Sequence, residues 1–408
     1  MSELLAPAGD LEKLKYAFTY GADAVYLGGK NFSMRANAGN FTIDEIRQGA
    51  DFAHERGGKV YVTINISGRN NDFKEIGNYV KQLDNAGVDG VIAADPGIIM
   101  TIRDTLPNMK ISLSTQASTT NYKSVEFWKR NGVNRIVLAR ELTFEDIKEI
   151  CANKPEGMEI ETFVHGAMCI SYSGRCLLSN YLTDRDANRG ECAQPCRWKY
   201  SLVENTRPGE EYPIEEYDEG SFIFNSKDLC LINHIHELIE AGVDSFKIEG
   251  RMKSIFYVST VVNAYRNAID SYEKNKQSYK PDPSLYEELT KVSHRQYTEG
   301  FYFGKADSSS QNYGSSSYTR NYDFVAQVIG FNKEKGLYEI EQRNKFLIGD
   351  ELELVRPREK SITFKINKMY NEKGEEVDST PHPKERLFID TDGVELKEFE
   401  LIRKKVQS

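Results

Sequence analysis

The chain has 408 residues, 39% hydrophobic and 28% charged, with a formal net charge of −9. That length suits one large domain plus a small one, and the composition is that of a globular protein in water. No run of about eighteen apolar residues occurs, which excludes a helical membrane span, while the acidic balance leaves room only for a local basic patch as a nucleic-acid site.

In chain order, residues 1–18 have neither the basic start nor the apolar stretch of a secretory signal, so a cytoplasmic protein is expected. Short β-branched runs follow at 4–6, 24–27, 60–64, 90–94, 111–114, 135–138, 160–164 and 245–248. Between most of them lie amphipathic stretches, one of which sets Phe73, Ile76, Val80 and Leu83 on a single helical face. The helices close on Gly21, Gly87, Gly132 and Gly242, residues suited to a left-handed C′ position. Eight βα units predict an α/β fold, a (βα)8 TIM-like barrel over residues 1–275. The rival is a doubly wound sheet. Its first turn would carry a Gly-rich phosphate loop, and Ala6-Pro7-Ala8-Gly9-Asp10 does not fit.

One connection is too long. Roughly 80 residues separate the seventh and eighth runs, where about 30 suffice. This insertion, 165–240, leaves the C-terminal end of strand seven, the face where barrels place their chemistry. A barrel extension is expected at 276–305, containing Ser293-His294-Arg295-Gln296-Tyr297, then a Ser-rich linker at 306–321. Residues 322–408 alternate strand-like runs with turns such as Asn371-Glu372-Lys373-Gly374 and predict a small C-terminal β-barrel domain.

Five of the six cysteines lie in the insertion, as Cys169-x6-Cys176-x15-Cys192-x3-Cys196 followed by Cys230. In a reducing compartment, clustered thiols bind metal or do redox work rather than form disulfides. Four thiolates select zinc or an iron–sulfur cluster, and only Cys192 and Cys196 approach the spacing of a zinc knuckle. Five candidates compete for four places. Cys151 sits in the helix after strand six and is expected in the core.

The segment Glu161-Thr-Phe-Val-His-Gly-Ala-Met-Cys-Ile-Ser-Tyr-Ser-Gly-Arg-Cys-Leu-Leu-Ser179 resembles the signature of peptidase family U32. So do Leu5-Ala-Pro-Ala-Gly9, Ala24-Val-Tyr-Leu-Gly-Gly29, Ser114-Thr-Gln116, Cys192-Ala-Gln-Pro-Cys-Arg-Trp-Lys-Tyr200, Asn225-Ser-Lys-Asp-Leu-Cys230, Lys247-Ile-Glu-Gly-Arg-Met-Lys253 and Gly300-Phe-Tyr-Phe-Gly304. The barrel with a small β-domain is similar to the branch that hydroxylates the wobble uridine of tRNA at carbon five. The resemblance implies a 4Fe–4S cluster, prephenate as co-substrate, tRNA as partner and a possible homologous partner subunit. It carries the ligands over to Cys169, Cys176, Cys192 and Cys230, with Cys196 the extra thiol. The family name records an older collagenase-like peptidase assignment, and a non-catalytic cluster-carrying subunit is a third reading.

Prephenate brings two carboxylates, which call for cations at strand ends. Arg140, Arg251 and Lys253 are candidates, unless Arg140 with Glu141 and Glu249 with Arg251 pair at the rim. His165, Arg251 and Glu249 are the catalytic candidates. Gln116 and Asn65 end strands, where an amide either reads a base edge or caps a loop. In the insertion, Arg175, Arg185, Arg189, Arg197 and Lys199 outnumber Asp184, Asp186 and Glu191, and Tyr172, Tyr181, Trp198 and Tyr200 offer stacking faces for RNA. A peptidase would instead pair His165 with Ser171 or Ser173, oriented by Glu161 or Glu249. No H-E-x-x-H zinc helix occurs.

Overall fold

The computed structural model describes residues 2–33, 40–168, 178–183, 185, 187, 191–195, 198, 201–203, 211–213, 227–304 and 319–406. The barrel opens with β1 (Glu3–Pro7), α1 (Leu11–Thr19), β2 (Ala24–Gly28), α2 (Ile43–His54), β3 (Lys59–Ile64), α3 (Ile76–Asn85), β4 (Gly90–Ala93) and α4 (Pro96–Thr105). It continues with β5 (Lys110–Leu113), α5 (Tyr122–Arg130), β6 (Arg135–Val137), α6 (Phe144–Ala152) and β7 (Glu159–Ala167). Local chemistry sets the helix starts. Thr42 with Glu45 and Thr143 with Asp146 form reciprocal capping boxes, and Asp95 caps α4 ahead of Pro96. All four glycines expected at helix ends have positive φ.

The insertion holds α7 (Leu178–Thr183), an antiparallel pair β8 (Ser201–Val203) and β9 (Glu211–Pro213), and β10 (Asp228–Cys230). After α8 (Ile235–Glu240) comes β11 (Ser245–Ile248), which pairs in parallel with both β7 and β1 and closes the eight-stranded barrel. Each of the eight sequence-predicted runs falls on one of these eight strands, those at 90–94, 111–114 and 135–138 overrunning the strand end by one residue. Strand β10 runs antiparallel along the C-terminal end of β7, with Cys230 opposite His165. The long α9 (Ile255–Lys274), α10 (Pro283–Leu289) and β12 (Tyr297–Thr298) follow, and β12 pairs with β10. No helix among the described residues is long and apolar enough to cross a membrane.

The C-terminal region is a curled antiparallel sheet of seven strands: β13 (Tyr322–Asn332), β14 (Leu337–Gln342), β15 (Leu352–Val355), β16 (Ile362–Phe364), β17 (Lys368–Tyr370), β18 (Arg386–Asp390) and β19 (Leu401–Lys405). Bulges in β13 at its pairings with β14 and β19 help to bend it around its own apolar core. It docks on the flank formed by α1, α9 and α10. Phe324 stacks on Phe256, the Tyr20 hydroxyl donates to the Val355 carbonyl, and the fully buried Arg403 grips Glu353 and Glu288.

Inside the barrel, the N-terminal ends of the strands carry a layer of charge. Arg135 bonds Glu3 at 2.6 Å, Glu159 at 2.7 Å and Glu161 at 3.1 Å, while Lys247 bonds Glu161 at 2.8 Å. Burial raises the Glu3 carboxyl, but the Arg135 guanidinium beside it wins and holds it below the usual range. Above this layer Leu5, Ala24, Tyr26, Tyr61 and Ile92 fill the interior.

Candidate functional site

Two buried polar assemblies lie at the C-terminal end of the strands. The first is the barrel mouth. Lys247, Glu249 and Arg251 alternate along β11 and the turn after it. Lys247 faces the interior, over the rings of Tyr26 and Phe163. Arg251, 4% exposed, lies across the end of β2, donating to Ser33 Oγ at 3.0 Å, Thr63 Oγ1 at 3.3 Å and Asn40 Oδ1 at 3.4 Å. Two glycines make this seat. A Cβ on Gly28 would stand 2.4 Å from Arg251 Nη1, and one on Gly9 would stand 2.2 Å from the Arg251 carbonyl oxygen.

Arg140 arrives from β6. Its guanidinium covers the Phe163 ring at 3.7 Å, donates to the Ala167 carbonyl at 2.7 Å and faces Glu249 at 3.6 Å. The rim pair is therefore Arg140 with Glu249. Asn65 donates to Gln116 Oε1 at 2.7 Å, and Ser114 Oγ donates to the same oxygen at 3.0 Å. The mouth thus gathers Arg251, Arg140, Glu249, Asn65 and Gln116. Lys253 turns the other way, donating to the Ser293 carbonyl and lying over Tyr257.

The second assembly sits between β7, β10, β12 and α9. The pairing of β7 with β11 slips one residue beyond Phe163, and His165 turns toward α9 rather than following Phe163 into the interior. Its ring is 1% exposed and lies among Tyr257, Tyr265 and Tyr297. Burial pushes the imidazole down to about 3, so it is neutral near pH 7. Nδ1 lies 3.3 Å from the Tyr265 hydroxyl, and Nε2 has no hydrogen-bond partner among the described residues. His294 stacks on Tyr297 at 4.4 Å. Its Nδ1–H donates to the Arg295 carbonyl at 2.6 Å, and its buried Nε2 has no partner among the described residues.

Cys230 is buried in this pocket, and burial pushes its thiol up to about 11. The Ile232 N–H and the Tyr265 hydroxyl, at 3.9 Å, both face its sulfur. Asp228, two residues earlier, is locked by Arg295 through Nε at 2.9 Å and Nη2 at 2.7 Å. Arg295, from the barrel extension, thus anchors the strand that carries Cys230. Cys192 is exposed and accepts the Gln194 N–H at 3.4 Å. Both described insertion thiols thus have a backbone N–H donor aimed at sulfur. Among the described residues no group of three or more metal-ligating side chains gathers. Cys169, Cys176, Cys196, Tyr172 and Arg197 lie outside the described residues. Cys151 is in the core, as expected.

Sequence reasoning missed Ser33, Thr63 and Tyr265. Thr63 ends a barrel strand, a signal that could have found it. Tyr265 lies mid-helix among apolar residues and reads as core.

The family model described as peptidase family U32 matches residues 9–312, and that of the peptidase family U32 C-terminal domain matches 320–403. The chain is 45% identical over 381 residues to tRNA hydroxylation protein P1 of Bacillus subtilis, covering 93% of this chain and 90% of that one. It is 38% identical to tRNA hydroxylation protein P of Haemophilus influenzae, covering 92% and 90%. A collagenase of Porphyromonas gingivalis is 32% identical, covering 90% and 89%.

Proposed function

The chain belongs to peptidase family U32, and from that premise we propose that it is a tRNA-hydroxylating enzyme. The observation that carries this reading is 38–45% identity, over nine-tenths of the chain, to proteins named for tRNA hydroxylation. The finer reading is iron–sulfur-dependent 5-hydroxylation of a wobble uridine, with prephenate as co-substrate and a homologous chain as a possible partner. The donor environment of Cys230 and Cys192 fits a cluster held with Cys169 and Cys176. When bound, such a cluster supplies the electron transfer that side chains cannot perform alone.

The chain's own residues have separable tasks. Arg251, held on its glycine seat and donating to Ser33, Thr63 and Asn40, supplies a buried positive charge at the mouth, with Arg140 beside Phe163 as the second cation. Asn65 and Gln116, already bonded to each other, form a fixed amide pair suited to a base edge. Asp228 and Arg295 hold Cys230 in register beside β7.

A peptidase reading has the collagenase relative and the family name behind it. It needs a nucleophile on His165. Ser171 and Ser173, the serines that reading names, lie outside the described residues; His165 Nδ1 itself faces the Tyr265 hydroxyl.

Mass spectrometry of nucleosides from total tRNA tests the proposal. Cells lacking this chain and its homologues should lose hydroxyuridine derivatives and regain them on re-expression. Arg251→Gln should restore about 100-fold less activity than the parent chain. Unchanged nucleosides, or gelatin cleavage by contaminant-free protein that His165→Ala abolishes, would favour the peptidase.

A further inference from the structure

We infer that Tyr265 is a positioning residue for the sulfur of Cys230, an assignment that rests on the cluster reading above. Tyr265 is fully buried midway along α9. Its phenol oxygen accepts the Leu231 N–H at 3.2 Å, which ties it to the segment that carries Cys230. The phenol has one proton and three acceptors within reach: the Val164 carbonyl at 2.7 Å, His165 Nδ1 at 3.3 Å and Cys230 Sγ at 3.9 Å.

With a neutral thiol, the carbonyl is the nearest acceptor. A metal-bound thiolate at Cys230 would carry negative charge beside His165 and Tyr297, and that charge would strengthen its pull on the proton. The proton can leave Val164 without orphaning that carbonyl, because the Leu231 N–H already donates to it at 2.9 Å. Rotation of the C–O bond then brings Tyr265 alongside the Ile232 N–H as a second donor to sulfur. Hydrogen bonds to a cluster sulfur stabilise the reduced, more negative state and raise the reduction potential.

The test uses anaerobically purified, cluster-loaded full-length protein, its one-electron couple titrated with dithionite and followed by electron paramagnetic resonance. Tyr265→Phe should keep its iron and sulfide and shift the couple to a more negative potential. A ring-fluorinated tyrosine at position 265 keeps the hydroxyl and the fold but donates more strongly, so the couple should shift the other way. It serves as the decisive variant if Tyr265→Phe does not fold. Loaded variants with an unmoved potential overturn the assignment alone. Parent protein that holds no iron overturns the cluster reading beneath it.

Discussion

Two buried polar clusters occupy opposite ends of the same barrel. At the N-terminal end, Arg135, Lys247 and Lys59 meet Glu3, Glu159 and Glu161 charge for charge, and every nitrogen of Arg135 finds a carboxylate. At the C-terminal end, beside β7, the pocket around Cys230 keeps two imidazole nitrogens, on His165 and His294, without partners among the described residues. Buried polar atoms in native proteins are paired with few exceptions, and the exceptions call for an explanation. The closed network is what stability alone produces. The open pocket leaves two ring nitrogens that the cluster-binding role proposed above would explain.

Breaking the closed network should have the largest effect. Arg135→Met removes the cation shared by Glu3, Glu159 and Glu161, leaving Lys59 to face Glu3 and Lys247 to face Glu161, and should cost about 3–5 kcal/mol in chemical denaturation. If the loss is under about 1 kcal/mol, the lower cluster is not structural. Arg295→Met strands Asp228, which is 2% exposed, and should cost about 3 kcal/mol. It should also reduce iron content, because it frees the strand that carries Cys230. That coupling should be absent from Arg135→Met.

The pH dependence of the metal-free chain separates the two ends as well. His165 binds its proton only near pH 3 in the folded chain but near 6.5 when unfolded. Its contribution is therefore complete above pH 6.5 and is lost as pH falls from there toward 3, with a slope of at most about 1.4 kcal/mol per pH unit. His165→Gln should flatten that limb. Glu3, held low by Arg135, contributes stability above its unfolded value near 4.5 that disappears only below it. Arg135→Met should remove this second, more acidic limb and leave the first. The smallest effect is expected from His294→Phe. The ring keeps its stack on Tyr297 and loses one hydrogen bond, so stability should change by about 1 kcal/mol or less.

The barrel was legible because βα alternation writes itself into the chain: all eight strands, and the glycines that end the helices, follow from local periodicity. The Lys247-x-Glu249-x-Arg251 alternation likewise points to the mouth. His165 was harder. By period two it should follow Phe163 toward the interior, but the register slip between β7 and β11 is a tertiary feature that turns it to α9. The partners of Cys230 were beyond local reading too. Asp228 meets Arg295 across 67 residues, and Tyr265 looks like one more apolar position on a buried helix.

The most direct test is iron and acid-labile sulfide in anaerobically purified protein, measured beside Cys230→Ser. The account predicts about four of each per parent chain. The serine variant should fold but lose most of both. A metal-free parent chain, or a serine variant with undiminished iron, would contradict it.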